Sequence, residues 1–335
     1  MFFLTAIVVA LVASTTSAST LFVSSYTGAV TTLNLTTSKD GAYELTAVAS
    51  DTHSQPNASW IQLDRTNKNL FILDENIIGT NGSINSYKIL PETGALSPVT
   101  RHATPAAPVN SALYTSPNGS QLLVVAHYAF AVSTWYVNPL TADFCHSQTF
   151  NITLPKPGPN AERQAASHPH QVLIDPTSKY LIIPDLGGDV LRIFHIDPQT
   201  LKISTRPDIP VPAGSGPRHG RFLKSKQGGS DVMYYHLVTE LSNQLLSFKV
   251  DYLPQDGGMN FTSIGKAVPT YGTADNNSTS DKVKFNAASE IYISKDAKNI
   301  YVSNRNATAL SFETKNGTKM PSDTMAHFTL AGGQD

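Results

Sequence analysis

Apolar positions in this chain fall in short runs, rich in β-branched and aromatic residues and bounded by Gly, Asn, Pro and Asp clusters. Helical periodicity is nearly absent, so the pattern predicts strands joined by tight turns. The plainest case is HQVLID (170–175), a Pro-Thr-Ser-Lys turn, YLIIPDL (180–186), then VLRIFHID (190–197) after Gly-Gly-Asp. The phrase recurs as WIQLD-RTNK-NLFILDE (60–75), SALYTS-PNGS-QLLVVAH (111–127), RHGRFLKSKQGGSDVMYYHLVTE (218–240) and SEIYIS-KDAK-NIYVSNR (289–305). Third strands follow as SINSYKIL, AVSTWYV, QLLSFKV and MAHFTL, and weaker fourth strands as in LKIST (201–205). Fixed self-similarity of this kind identifies a repeat fold. Four antiparallel strands per unit predict an all-β β-propeller of four-stranded blades, and a β-sandwich would not explain the repeated phrase.

The ends of the pattern are unequal. LFVSSY (21–26), AVTTLNL (29–35) and YELTAV (43–48) match second, third and fourth strands, so the first blade lacks an inner strand. The last unit stops at Asp335 before any fourth strand, and we expect a closing C-terminal blade to be missing from this chain. Two incomplete blades should leave unpaired edges and a gap or strained join in the ring.

The same alignment places side chains. Inner strands begin at Ser59, Ser111, His170, Arg218 and Ser289, and second strands end at Tyr26, Glu75, His127, Leu186, Glu240 and Arg305. Antiparallel neighbours put both sets on one face of the disc, near its axis. The convergent chemistry is then Glu75, His127, His170, Arg218, Glu240 and Arg305. Arginines offer planar forks for carboxylate or phosphate, and His and Glu can trade protons near neutral pH. This set points to a small anionic ligand; the alternatives are a scaffold whose polar groups satisfy one another around a wet channel, and a non-catalytic secreted propeller that binds a carbohydrate or protein. His168 and His170 form His-Pro-His, but no third metal ligand is evident beyond Asp185 or Asp189, so no metal is expected. Asp185-Leu-Gly-Gly-Asp189 reads as a hairpin turn with its glycines at positive φ.

Composition adds the setting. Residues 1–18 carry no charged side chain, run apolar from Phe2 to Ala13 and end in small residues, which predicts a cleaved signal peptide ahead of one domain at 19–335. Asn34, Asn57, Asn81, Asn118, Asn151, Asn260, Asn276, Asn277, Asn306 and Asn316 each open an N-glycosylation sequon. Together these predict a secreted, extracellular glycoprotein with no membrane contact after cleavage. Cys145 is the only cysteine and is expected to be a buried structural thiol. A formal charge of −1 without basic runs argues against nucleic acid as a partner.

Residues SHPHQVLIDPTSKYLIIPDLGGDVLRIFHID, GPRHGRF with TELSNQLLSF, and SEIYISKDAKNIYVSNR resemble the lactonase family of seven-bladed propellers. That family includes propeller-type 6-phosphogluconolactonases and fungal 3-carboxy-cis,cis-muconate lactonizing enzymes. The resemblance covers about residues 20–335 and implies a cofactor-free lactonase or carboxymuconate cyclase acting on a small anionic lactone or carboxylate. It carries His170, Glu240, Arg218 and Arg305 over as catalytic, leaving Glu75, His127 and His168 as substrate-binding candidates. Where the family has Asn-Tyr, this chain has His127-Tyr128.

Overall fold

The computed structural model describes residues 19–52, 57–76, 79–227, 229–271, 286–307 and 310–330. The expected signal peptide and the sequons at Asn276 and Asn277 lie outside the described residues. Chain-consecutive antiparallel strands form six sheets arranged as propeller blades. The first holds Ser19–Ser24, Val30–Thr37 and Tyr43–Asp51; the second Ala58–Asp64, Asn69–Asp74, Asn81–Ile89 and Leu96–Pro105. The third runs through Pro108–Thr115, Gln121–His127, Ala131–Val137 and Phe144–Asn151. The fourth is Leu173–Ile174, Tyr180–Asp185, Val190–Ile196 and Ile203–Pro210. In the fifth are Pro217–Gln227, Ser230–Thr239, Gln244–Tyr252 and Met259–Ser263, with Val268–Pro269 added beside the third of them. Ala287–Ile293, Asn299–Arg305 and Thr324–Thr329 make the sixth, interrupted by a separate hairpin of Leu310–Glu313 and Lys319–Ser322.

Burial explains the apolar runs. Second strands such as Asn69–Asp74, Gln121–His127 and Tyr180–Asp185 are buried at every position, because each is sandwiched between neighbouring blades. Fully burying one such Leu, Ile or Val stabilises the fold by about 1.5–3 kcal/mol. One hydrophobic cluster fills each junction between consecutive sheets, from Val30 with Leu70 and Ile72 at the first to Val238 with Ile291 and Val302 at the last. Among the described residues no such cluster joins the sixth sheet to the first. Large apolar side chains stand exposed on both of those sheets, including Leu21 and Val23 on one and Tyr292 and Met325 on the other.

Turn chemistry sets the register. Asp175, opening the turn before Tyr180, accepts hydrogen bonds from the backbone N–H groups of Thr177, Lys179 and Tyr180. The register of the inner strand shifts at the site-facing end in the second, third, fifth and sixth sheets, between Ala58 and Trp60, Pro108 and Asn110, Pro217 and His219, and Ala288 and Ile291. Such bulges re-aim a side chain, and Arg218 sits in one of them.

Several expectations need correction. The inner strand expected at 170–175 shrinks to Leu173–Ile174. Pro169 has no N–H to give, and the Val172 N–H is diverted to Asn110 Oδ1 at 2.9 Å, so the ladder thins. In the turn at 185–189 it is Asp189, with φ of 49°, that takes the left-handed conformation. Gly187 is required for a different reason: a Cβ there would lie 1.7 Å from the Ala166 carbonyl oxygen. Cys145 is exposed, not buried, because alternation along Phe144–Asn151 turns Phe144 inward and its neighbour to solvent.

Candidate active site

Glu240 is the hub. It follows the strand Ser230–Thr239, and its N–H donates to the Gly216 carbonyl at 2.8 Å, which locks it beside the start of the inner strand. Its buried carboxylate accepts from three arginines. Arg163 Nη2 lies 2.6 Å from Oε1, while Arg218 Nε and Arg305 Nη2 lie 2.9 and 2.7 Å from Oε2. Burial alone would raise the carboxyl's pKa, but Arg218, Arg305 and Arg163 outweigh it and hold the group below its usual range. Arg218 is itself buried, which together with Arg305 pushes it down to about 10, so it stays a cation at neutral pH. The side chains of Arg163 and Arg305 are 37% and 44% exposed, so each keeps donors free for a ligand.

A wall of rings borders the arginines. Tyr128 stacks on His168 at 4.1 Å between centroids and meets His170 edge-on at 5.6 Å. His170 in turn meets His219 at 5.2 Å, and His219 faces Trp60 at 6.2 Å. Burial first, then the Arg218 and His219 charges, hold His170 well below the usual histidine pKa, so its ring is neutral at pH 7. Its Nδ1 is buried without a hydrogen-bond partner among the described residues. His219 Nδ1 donates to Glu290 Oε2 at 2.8 Å, and Arg221 approaches the other oxygen at 3.3 Å. Burial opposes ionisation of Glu290, yet the His219 hydrogen bond and nearby cations bring it down to about 2.

The expected residues separate here. His170, Arg218, Glu240 and Arg305 come together, and His168 joins through its stack on Tyr128 while its Nδ1 donates to the Tyr128 carbonyl at 2.6 Å. Glu75 stands at the margin, accepting from the Tyr26 hydroxyl at 3.4 Å; burial raises its pKa, against the pull of Tyr26 and Arg218. His127 does not join. It is fully buried, with Nε2 2.8 Å from Ser133 Oγ, which also accepts from Trp135 Nε1, and burial pushes its pKa down to about 4.

The cause is a one-residue offset. The N–H groups of Glu75, Tyr128 and Glu240 donate to Asn57, Ala107 and Gly216, so Tyr128 is the residue equivalent to the two glutamates. A slip of one position in a strand turns a side chain to the opposite face. Sequence reasoning also missed Arg163, His219 and Glu290. Arg163 lies in the irregular connection between the third and fourth sheets, where no repeat offers an alignment. That connection is nonetheless well anchored: Gln164 is buried and donates to the Leu186 carbonyl at 2.9 Å, and Ser167 donates to Asp185 at 2.5 Å. No group of three or more His, Cys, Asp or Glu residues is arranged to hold a metal among the described residues.

Comparison with known proteins agrees on the all-β propeller but not on its blade count, since the described residues form six blades and the matching family is seven-bladed. A "Probable 6-phosphogluconolactonase" of Arthroderma benhamiae is 30% identical over 85% of this chain and 66% of its own length. The 6-phosphogluconolactonase of Formosa agariphila is 26% identical over 76% of this chain and 67% of its own. The chain thus spans about two thirds of the length of these relatives. Among solved structures, the Pseudomonas aeruginosa periplasmic gluconolactonase superposes with a TM-score of 0.68 at 22% identity, covering 90% of this chain and 81% of that one. A Lactobacillus plantarum protein gives 0.63 at 22% identity over 87% and 77%. At such identities the likeness concerns the fold. Residues 20–334 match the lactonase, 7-bladed β-propeller, family as a whole, and to that family this chain belongs.

Proposed function

We propose that this protein is a lactonase-type enzyme that works without metal on a small anionic substrate bound against Arg163, Arg218 and Arg305. The observation that carries the reading is three guanidinium groups converging on the single carboxylate of Glu240, which leaves the site with excess positive charge. A substrate carboxylate or phosphate can take the free donors of Arg163 and Arg305 in the fork geometry that guanidinium favours. Glu240 is a poor proton acceptor while three cations hold it ionised, so its work is to position the arginines. His170 is neutral at pH 7 with an unpartnered Nδ1, and a bound anion, by offsetting the arginine charge that depresses it, would raise its basicity, which makes it the group we assign to accept a proton.

In the hydrolytic direction His170 takes a proton from water as the water oxygen bonds to the lactone carbonyl carbon, an arginine stabilises the oxyanion, and the ring C–O bond then breaks as His170 returns the proton to the leaving alkoxide. In the cyclising direction, on an unsaturated diacid, a carboxylate oxygen held by the arginines adds to the carbon–carbon double bond while His170 delivers to the neighbouring carbon a proton taken from solvent, so the C–O and C–H bonds form as the π bond is lost. Carboxymuconates belong to the substrate panel on this ground. Export by the signal peptide belongs to the same proposal and makes an extracellular lactone or acid the natural substrate. The test is a panel of sugar lactones, phosphorylated lactones and muconates offered to the purified protein, with ring opening followed by acid release and closure by loss of diene absorbance. Turnover of an anionic member that vanishes in His170→Ala supports the reading. A folded protein inert on every member overturns it.

A further inference from the structure

We propose that the grooves between neighbouring blades are seats for N-linked glycans, and that the glycan on Asn81 lies in the groove between the second and third sheets. The inference rests on the export proposed above and is independent of the catalytic reading. Four grooves on the periphery of the propeller each contain a sequon asparagine in their wall: Asn34, Asn81, Asn118 and Asn151. Each groove is bounded by two consecutive blades, so a sugar rooted in one blade is delivered against the next.

Asn81 gives the best-formed case. It is exposed at the start of the strand Asn81–Ile89, and its groove has a volume of about 590 Å³, within the range of roughly 300–1,000 Å³ typical of small-ligand sites. The opposite wall belongs to the third sheet and offers Trp135, His146 and Thr149, while His102 closes the near side. Trp135 and His146 meet edge to face at 5.2 Å, and His102 lies 6.0 Å from Trp135. Trp135 itself is buried beneath the groove, so a pyranose packs its C–H face on the half-exposed His102 and exposed His146 rings and offers hydroxyls to the His146–Thr149 pair, whose side chains hydrogen-bond at 2.8 Å. A tethered sugar needs little intrinsic affinity, because covalent attachment makes its local concentration high. The glycan thereby links adjacent blades in a chain whose only cysteine excludes an internal disulfide.

Cys145 supplies the probe, since it is exposed and lines this groove. Protein secreted by a glycosylating eukaryotic host is digested to read glycan occupancy at Asn81 by mass spectrometry. The alkylation rate of Cys145 by a maleimide is then compared among wild type, Asn81→Gln and Asn260→Gln. Asn260 is also exposed but lines none of the grooves. We expect Asn81 to be occupied, the Asn81→Gln thiol to react several-fold faster than wild type, and Asn260→Gln to match wild type. Glycosidase release from folded wild type, which requires no refolding, should speed the reaction to the same degree. An unmodified Asn81, or a Cys145 rate unchanged by removing the Asn81 glycan, overturns the proposal.

Discussion

Replacing Glu240 by glutamine keeps the shape of the hub and removes its charge. Arg218, at 9% exposure, would then be a buried cation beside Arg305 with no carboxylate to hold it. Breaking a buried ion pair by removing one partner costs about 3–5 kcal/mol. The half-exposed Arg163 and Arg305 add little, about 0–1 kcal/mol each, because water screens them. A typical total stability of about 5–15 kcal/mol leaves the variant folded, with a melting temperature lower by something on the order of 10 °C at neutral pH. The pH dependence is the sharper test. The Glu240 carboxyl titrates lower in the folded than in the unfolded chain. Between those two values the unfolded state binds more protons, so this contribution grows as pH rises through the window. It is complete above the unfolded value of about 4.3 and is lost as pH falls through the folded one. Glutamine cannot titrate, so the gap between wild type and Glu240→Gln should be full from about pH 5 upward and close in acid. Scanning calorimetry across pH 3–8 would measure it. Equal melting temperatures at pH 7, or a gap that persists undiminished in acid, would refute the description of Glu240 as an ionised clamp.

Other perturbations separate the remaining roles. His170→Ala should lower kcat by about 10²–10⁴-fold, the range for removing a general base, with near-native circular dichroism; full activity in this variant would end the proton-transfer assignment. Arg163→Ala should raise KM for an anionic substrate far more than it lowers kcat and cost at most about 1 kcal/mol of stability, as steady-state kinetics and denaturant titration would show. Leu21→Lys with Val23→Lys, on the exposed first strand, should suppress concentration-dependent association in sedimentation velocity; a wild type monomeric at all concentrations would count against a sticky edge.

The fold was legible because blade packing writes itself into the sequence. Second strands buried on both faces appear as unbroken apolar runs, and the Asp- or Ser-headed turns before them recur in register. What repetition could not resolve was phase and departure from repetition. His127 reads as a channel residue in the sequence because it ends the apolar run, whereas the backbone register makes Tyr128 the counterpart of Glu75 and Glu240. Arg218 is legible because it opens its unit's phrase, although the bulge that re-aims it leaves no mark that pattern alone can read. Arg163 escaped because it lies in a connection unique to one junction, held by Gln164 and Ser167, contacts no repeat encodes. Glu290 was hidden by a similar irregularity, since the register of its strand shifts between Ala288 and Ile291.

The distribution of the site over the ring shows how little of it depends on the junction between the sixth sheet and the first. Tyr128 comes from the third sheet, Arg163, His168 and His170 from the connection into the fourth, Arg218, His219 and Glu240 from the fifth, and Glu290 and Arg305 from the sixth. These four sheets are consecutive, and continuous hydrophobic clusters join the third to the fourth, the fourth to the fifth and the fifth to the sixth. The arginine hub therefore depends on three well-packed junctions and on none that includes the first sheet. Only the marginal pair Tyr26 and Glu75, and Trp60 at the end of the ring wall, belong to the first and second sheets. A rigid arc of four blades is enough to hold Glu240 within hydrogen-bond reach of its three arginines. The remaining blades complete the rim against which a ligand would rest.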